Sequence, residues 1–213
     1  MSNSDAKILA ENLGVNFITI PIKNIYNAFK TELAPLFAGM EEGLAEENIQ
    51  ARTRGNILMS VANKFDALML NTGNKTELAL GYCTMYGDMA GAIGVIGDLN
   101  KTQVYNISKY INQKSGKEII PNRIISRPPT AELKNAQVDP FDYDIVSPLV
   151  DDIINNGADR ESLLAKGYEE GVIDDCLRRI RFSEYKRKQA APALKVSKKA
   201  FGIGRRYPIV NKY

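Results

Sequence analysis

The order of elements between Glu46 and Asp88 constrains the fold more than any other feature of the chain. A helical stretch precedes the short apolar run Ala67-Leu68-Met69-Leu70, which is followed by a glycine-containing turn, Asn71 to Glu77, and a second helix. A short apolar run bounded by a turn has the pattern of a strand buried in a parallel sheet. Helix, strand, turn and helix in that order predict an α/β fold, in which ligands bind outside the carboxyl ends of the strands. The turn after Leu70 is therefore a candidate nucleotide site. Three chemically loaded segments frame it: EENIQARTRG (46–55), NTGNKTE (71–77) and GYCTMYGD (81–88).

The chain contains no histidine. That removes Ser-His-Asp and Cys-His triads, imidazole general bases and nearly all zinc-hydrolase sites. Cys83 and Cys176 stand apart without a CxxC partner, so neither a disulfide framework nor a thiolate metal site is indicated. Both are expected to be buried and inert. Chemistry is left to carboxylates, Lys, Arg, Thr and a hard metal ion. With 213 residues, 25% charged and 44% hydrophobic, the chain reads as a globular protein with one core. No apolar run approaches the roughly 20 residues that cross a bilayer, and MSNSDAK has no signal-peptide character, so a cytoplasmic location is expected. The net charge of +3 conceals an asymmetry: residues 185–213 carry +9 without an acid, leaving −6 for residues 1–184.

Periodicity predicts helices over 4–13, with Ser4 as N-cap and Gly14 as stop, over 23–38, and over 46–64. The second would turn Ile25, Phe29, Leu33 and Leu36 inward, and the third Ile49, Ile57, Leu58, Val61 and Ala62. Phe17–Ile22 reads as a strand. In the third helix Asn48 and Arg52, four residues apart, share a face that suits a polar ligand. Met89–Lys101 reads as loop, Lys101–Ile111 as helix, 134–143 as a mobile loop, and 147–180 as two or three short helices. Residues 182–185 would form a last helix before the basic segment 182–213 ends the same domain.

Several of the candidate site residues have a bland alternative. Asn74 with Glu77 three residues on matches a capping box, worth about 1 kcal/mol without any ligand. The same turn could instead hold a nucleotide through Thr72 and a phosphate-bridging Mg²⁺ through Glu77. Asp88 could be a turn residue and Lys101 a first-turn lysine. Thr130, ordered by Pro128-Pro129, could cap a helix. The basic tail could be a solvated face, a nucleic-acid contact or a phosphate clamp through Lys186-Arg187-Lys188, although it lacks the aromatic platform of an RNA module.

Together, EENIQARTRG, LNTGNKTELALGYCTMYGDMAG, DLNKTQVY, RPPTAEL and EYKRKQAAPALKVSKKAFGIGRRYPI resemble, in order and spacing, the synthetase domain of glutamine-dependent NAD synthetases. The resemblance implies a Rossmann-like, adenine-nucleotide α-hydrolase-like parallel sheet flanked by helices. It also implies ATP-dependent amidation of deamido-NAD to NAD. The nicotinate carboxylate takes AMP from ATP, pyrophosphate leaves, and glutamine-derived ammonia displaces AMP. By motif position Thr72, Lys101 and Thr130 would contact ATP, and Asn48 and Arg52 deamido-NAD. Glu77 would serve Mg²⁺ or deamido-NAD, Lys186 would close over deamido-NAD or the leaving phosphates, and Asp88 would lie near the reacting end. The resemblance further implies a homodimer and a separate glutaminase domain, with neither nucleic acid nor membrane as partner.

Met85 and Ala92 stand where ammonia-dependent relatives have a lysine and an aspartate, which fits the glutamine-dependent branch. The family's pyrophosphate loop, Ser-Gly-Gly-x-Asp-Ser, does not occur in these 213 residues. The opening resembles the helix after the family's second strand, so the first strands are expected to be missing, as is the glutaminase domain, and the chain alone is expected to be inactive. The alternatives are a non-catalytic fragment that dimerises or binds nucleotide like its parent and, less well matched, a GMP synthetase, whose pattern contains neither the EENIQAR helix nor the RRYPI tail.

Overall fold

The computed structural model describes residues 2–131, 133, 137–202 and 204–210. They divide into two compact units, one of residues 1–21 and 102–140, the other of residues 22–101 and 141–213. Among the described residues no helix is long and apolar enough to cross a membrane.

In the first unit, α1 (Ser2–Leu13) packs on α6 (Asn122–Ser126). Asn12 Nδ2 donates to the carbonyls of Glu118 at 3.1 Å and Ile119 at 2.8 Å. Gly14 ends α1 in the left-handed region, as its position predicts, but Ser4 lies inside the helix instead of capping it. The strand expected over Phe17–Ile22 is absent: this segment pairs with no other strand, and Ile18 and Ile20 are exposed. Alternating apolar residues need a partner backbone to become a strand, and the described residues supply none. α5 (Lys101–Ser115) runs one turn beyond its expected end, and no residue of it is buried. No helix starts at Thr130 among the described residues, so it is not the N-cap that its sequence allowed. Of the loop expected over 134–143, residues 134–136 lie outside the described residues.

The second unit holds the core. α4 (Lys75–Leu80), α7 (Tyr143–Asp151), a following π-helical turn (Asp152–Asn156), α8 (Arg160–Ala165) and α9 (Glu170–Phe182) enclose Leu78, Ala79, Leu149, Ile154, Leu163, Ile173 and Ile180. A short helix, α10 (Glu184–Arg187), follows. It runs through Lys186 and Arg187, where the sequence predicted a helix ending at Tyr185. The sheet consists of β1 (Leu70–Asn71) and β2 (Ile93–Gly94), paired parallel with Leu70 opposite Ile93. α4 lies between them in the chain, the βαβ order that a parallel pair requires. β1 thus begins at the end of the expected run, and Leu68 and Leu70 are exposed. β2 falls in the glycine-rich segment that reads as loop, where Gly94 also bridges to Ala193 of the C-terminal segment.

α2 (Lys23–Leu33) stops short of its expected end and packs on α3 (Leu44–Lys64). Ile25, Phe29 and Leu36, expected inward, are exposed, as are Leu58 and Val61 of α3. α3 buries Ala62, as expected, and with it the small residues Ala51, Thr53 and Gly55. The reason is close approach: an added Cβ at Gly55 would lie 2.8 Å from the Gly87 carbonyl oxygen and 2.9 Å from that of Tyr86. Gly55→Ala is therefore expected to lower stability by about 1–3 kcal/mol, because backbone must move to admit a methyl group. Urea unfolding of the variant against wild type measures this, and an unchanged midpoint would contradict the close-packing account.

Candidate functional site

α4 is started by local chemistry. Asn74 is extended (φ −97°, ψ 169°) and its side chain accepts from the Glu77 N–H at 3.0 Å, while Glu77 Oε2 accepts from the Asn74 N–H at 3.0 Å. The capping box predicted from the sequence is thus formed. Glu77 Oε1 lies 3.0 Å from Lys101 Nζ, an ion pair that is mostly buried on both sides. The Lys101 N–H also donates to Thr76 Oγ1 at 3.2 Å, so the starts of α4 and α5 are tied together. Thr72 is exposed on the turn.

The segment Gly81–Asp88 is gripped from three directions. From α3, Asn48 Oδ1 accepts from the Thr84 hydroxyl at 2.8 Å and Arg52 Nε donates to the Met85 carbonyl at 3.2 Å. From α10, Lys186 Nζ donates to the carbonyls of Gly81 and Cys83, both at 2.8 Å. Just beyond α10, Gln189 accepts from the Tyr86 hydroxyl and donates to the Met85 sulfur at 3.1 Å. From β1, Asn71 Nδ2 donates to the carbonyls of Asp88 at 2.6 Å and Ala90 at 3.1 Å, while its Oδ1 accepts from the Gly73 N–H. Tyr86 sits at φ +61°, left-handed for a residue with a side chain, and this dense bonding holds it there.

The electrostatics follow from this crowding. Burial raises the Asp88 carboxyl above the usual carboxylate range and the Glu77 charge adds to the rise. The Thr84 N–H, which it accepts at 2.6 Å, and the Lys186 charge work the other way. Desolvation pushes both thiols up to about 12, so neither is a nucleophile near neutral pH; Cys176 is buried as expected, while Cys83 is half-buried.

Four of the sequence-predicted residues, Asn48, Arg52, Asp88 and Lys186, therefore converge on one loop, and two others, Glu77 and Lys101, form a pair. Thr130 belongs to the other unit, half-buried in the segment after α6. Of the three basic residues that the sequence offered as one possible phosphate clamp, Lys186-Arg187-Lys188, Arg187 is buried and donates to Glu184 and to the carbonyls of Leu78, Ala79 and Ile180. No group of three or more His, Cys, Asp or Glu able to hold a metal occurs among the described residues. This donor set does not build a metal cage. Both oxygens of Glu77 are engaged, Oε1 by Lys101 Nζ and Oε2 by the Asn74 N–H.

The family model described as NAD synthase matches residues 1–190. The chain belongs to the NAD synthase family. The glutamine-dependent NAD(+) synthetase of Thermotoga maritima is 46% identical over the whole of this chain, which spans 37% of that protein's length. Among solved structures, the glutamine-dependent NAD+ synthetase of Acinetobacter baumannii in complex with ADP superposes with a TM-score of 0.59 at 39% identity. It matches 99% of this chain and 38% of its own. A glutamine-dependent NAD(+) synthetase from Cytophaga hutchinsonii, at 22% identity, reaches a TM-score of 0.81 over 98% of this chain and 36% of its own, a likeness of fold. The family is one of ligases, and its Rossmann-like α/β class agrees with the parallel β1–β2 pair and the surrounding helices.

Sequence reasoning missed Asn71, Lys75, Asp98, Gln189 and Ser197, and the buried role of Arg187. One signal was available for Lys75. A lysine in the first turn of a helix opposes the helix dipole and implies a nearby carboxylate, an argument that applies equally to Lys101.

Proposed function

We propose that this chain carries the deamido-NAD side and part of the ATP side of an NAD synthetase site. The reaction is amidation. The nicotinate carboxylate oxygen attacks the α-phosphorus of ATP, the bond to pyrophosphate breaks, and an adenylated intermediate forms. Ammonia, derived from glutamine in the intact enzyme, then attacks the acyl carbon, AMP departs, and NAD results. The observation that carries this reading is the convergence of Asn48, Arg52, Asp88 and Lys186 on Gly81–Asp88, with the Glu77–Lys101 pair at the starts of α4 and α5.

In this reading Arg52 and Asn48 bind deamido-NAD and Thr72 and Lys101 bind ATP. Lys186 covers deamido-NAD or the leaving phosphates, where cations offset developing negative charge. Asp88 stands near the reacting end, and Glu77 meets deamido-NAD or a phosphate-held Mg²⁺. The ADP in complex with the Acinetobacter baumannii enzyme supports an adenine-nucleotide ligand. A homodimer formed through α2 and α3 is supported by the exposed Ile25, Phe29, Leu58 and Phe65. These 213 residues contain no Ser-Gly-Gly-x-Asp-Ser loop. Such a loop supplies aligned backbone N–H groups for phosphates, so the chain by itself binds triphosphate weakly and turns over little.

Isothermal titration with deamido-NAD tests the reading. Wild type is expected to bind and Arg52→Ala to bind at least about tenfold more weakly, the scale of one lost hydrogen bond from a charged group. Equal binding by the two would remove Arg52 from the site. NAD formation by the chain alone would overturn its proposed inactivity.

A further inference from the structure

Lys75 is fully buried, and its ammonium is shared among residues far apart in the chain. Nζ lies 3.2 Å from Asp98 Oδ1 and 3.0 Å from Asp151 Oδ1, and it donates to Asn155 Oδ1 at 3.1 Å and Ser197 Oγ at 3.2 Å. Its backbone N–H donates to the Leu99 carbonyl at 2.8 Å. Asp98, also fully buried, accepts from the N–H groups of Val196 at 2.8 Å and Ser197 at 2.7 Å and from the Ser197 hydroxyl at 2.8 Å. Asn155 Oδ1 accepts from the Lys199 N–H at 3.3 Å. Asn100 donates to Asp151 Oδ2 at 2.5 Å.

A buried cation is tolerated only where carboxylates and hydrogen bonds replace its lost water. Lys75 and these partners bring together the start of α4, the approach to α5, the end of α7 with the π-helical turn after it, and the segment Val196–Lys199. Those first two places also hold Glu77 and Lys101, one residue or two from the network, joined to it through Thr76 and the Lys101 N–H.

We infer that Lys75 is a positioning residue: through Asp98 and Ser197 it docks the C-terminal segment Val196–Lys199 onto the helix starts that carry Glu77 and Lys101, so that tail docking and the geometry of that pair form one unit. Lys75 itself touches no ligand in this scheme. Its consequence for nucleotide affinity rests on the assignment of Lys101 to ATP in the proposed function, whereas the docking itself does not.

Hydrogen–deuterium exchange of the 213-residue chain separates the two. Ser197→Ala removes one hydroxyl from a half-buried position and is unlike Lys75→Met in leaving the buried charges paired, so it keeps the test open if Lys75→Met fails to fold. In Ser197→Ala the peptide covering 193–200 is expected to exchange about tenfold faster, the effect of losing about one net hydrogen bond. The inference further requires faster exchange in the peptide that contains the Lys101 N–H, which Ser197 does not touch. Ser197→Thr, which keeps the hydroxyl, should restore both. Acceleration confined to 193–200 would reduce Lys75 to a local tether and overturn the positioning role, and unchanged exchange in both peptides would overturn the docking. A parallel ADP titration bears on the proposed function alone. A wild-type chain that ignores ADP would count against Lys101 as a nucleotide contact, while the exchange data decide the role of Lys75.

Discussion

Arg187→Ala is expected to lower the unfolding free energy by about 3–5 kcal/mol, the scale of breaking a buried, hydrogen-bonded ion pair by removing one partner. Glu184, whose Oε2 accepts from Arg187 Nε at 3.0 Å, would remain buried without its cation. The same guanidinium closes the ends of two helices. It donates to Leu78 and Ala79 in the last turn of α4, at 3.0 and 3.1 Å, and to Ile180 near the end of α9. Carbonyls in those turns have no partner within their own helix, so a positive donor there satisfies them and suits the dipole. The guanidinium also lies over the Phe201 ring, 4.6 Å from its centroid, which ties the tail to the core. Total stabilities of about 5–15 kcal/mol are usual for domains, so such a loss takes a large share of the whole. Urea unfolding reads it directly. Arg187→Lys should recover less than half, since an ammonium cannot span the same acceptors. A loss under about 1 kcal/mol in Arg187→Ala would show that the pair and the two helix ends find other partners.

Lys75→Met should cost a similar amount, about 3–5 kcal/mol near pH 7, and the cost should shrink in acid. Methionine fills much of the lysine volume but leaves Asp98 and Asp151 without their shared cation. In the wild type, burial alone would raise the Asp98 carboxyl. The hydrogen bonds from Ser197 and Val196 and the Lys75 charge outweigh it and hold that carboxyl below its ordinary value. A carboxylate depressed in the folded state contributes stability that is present above its unfolded pKa, about 3.9, and is lost as pH falls through the lower folded value. Without Lys75, burial is less opposed, the Asp98 value rises, and this contribution diminishes or reverses. The difference between wild type and Lys75→Met is therefore greatest at neutral pH and narrows as the carboxyls are protonated. Unfolding curves at pH 7 and in the pH range below about 4 check the sign, and a difference independent of pH would mean that volume, not charge, governs the site.

Some of this was legible in the residues. The capping box of Asn74 and Glu77, the helix α3 with Asn48 and Arg52 on one face, and the left-handed stop at Gly14 all formed as the sequence predicts. Each depends on neighbours within four residues, where backbone geometry leaves few alternatives. The five ordered motifs also pointed to the family, because so long a series in one order rarely arises by chance. The buried face of α3 is legible only in part: Ala62 is buried as expected, whereas Leu58 and Val61 are exposed. Hydrophobic periodicity favours large residues, yet the close approach of Gly55 to Gly87 selects small ones, and packing distance is not written in hydropathy.

The sequence by itself determined the capping box that starts α4, the glycine stop at Gly14 and the chemistry available in a chain without histidine. Only the tertiary structure decided that β1 pairs with a strand inside a glycine-rich segment, that Arg187 is a buried link instead of a phosphate clamp, and that Lys75 shares its charge with Asn155 and Ser197, 80 and 122 residues away. The physical reason is range. Caps and turns are selected by bonds within a few residues, whereas the partner of a buried charge or a two-residue strand is selected by which distant segments the whole fold brings together and dries.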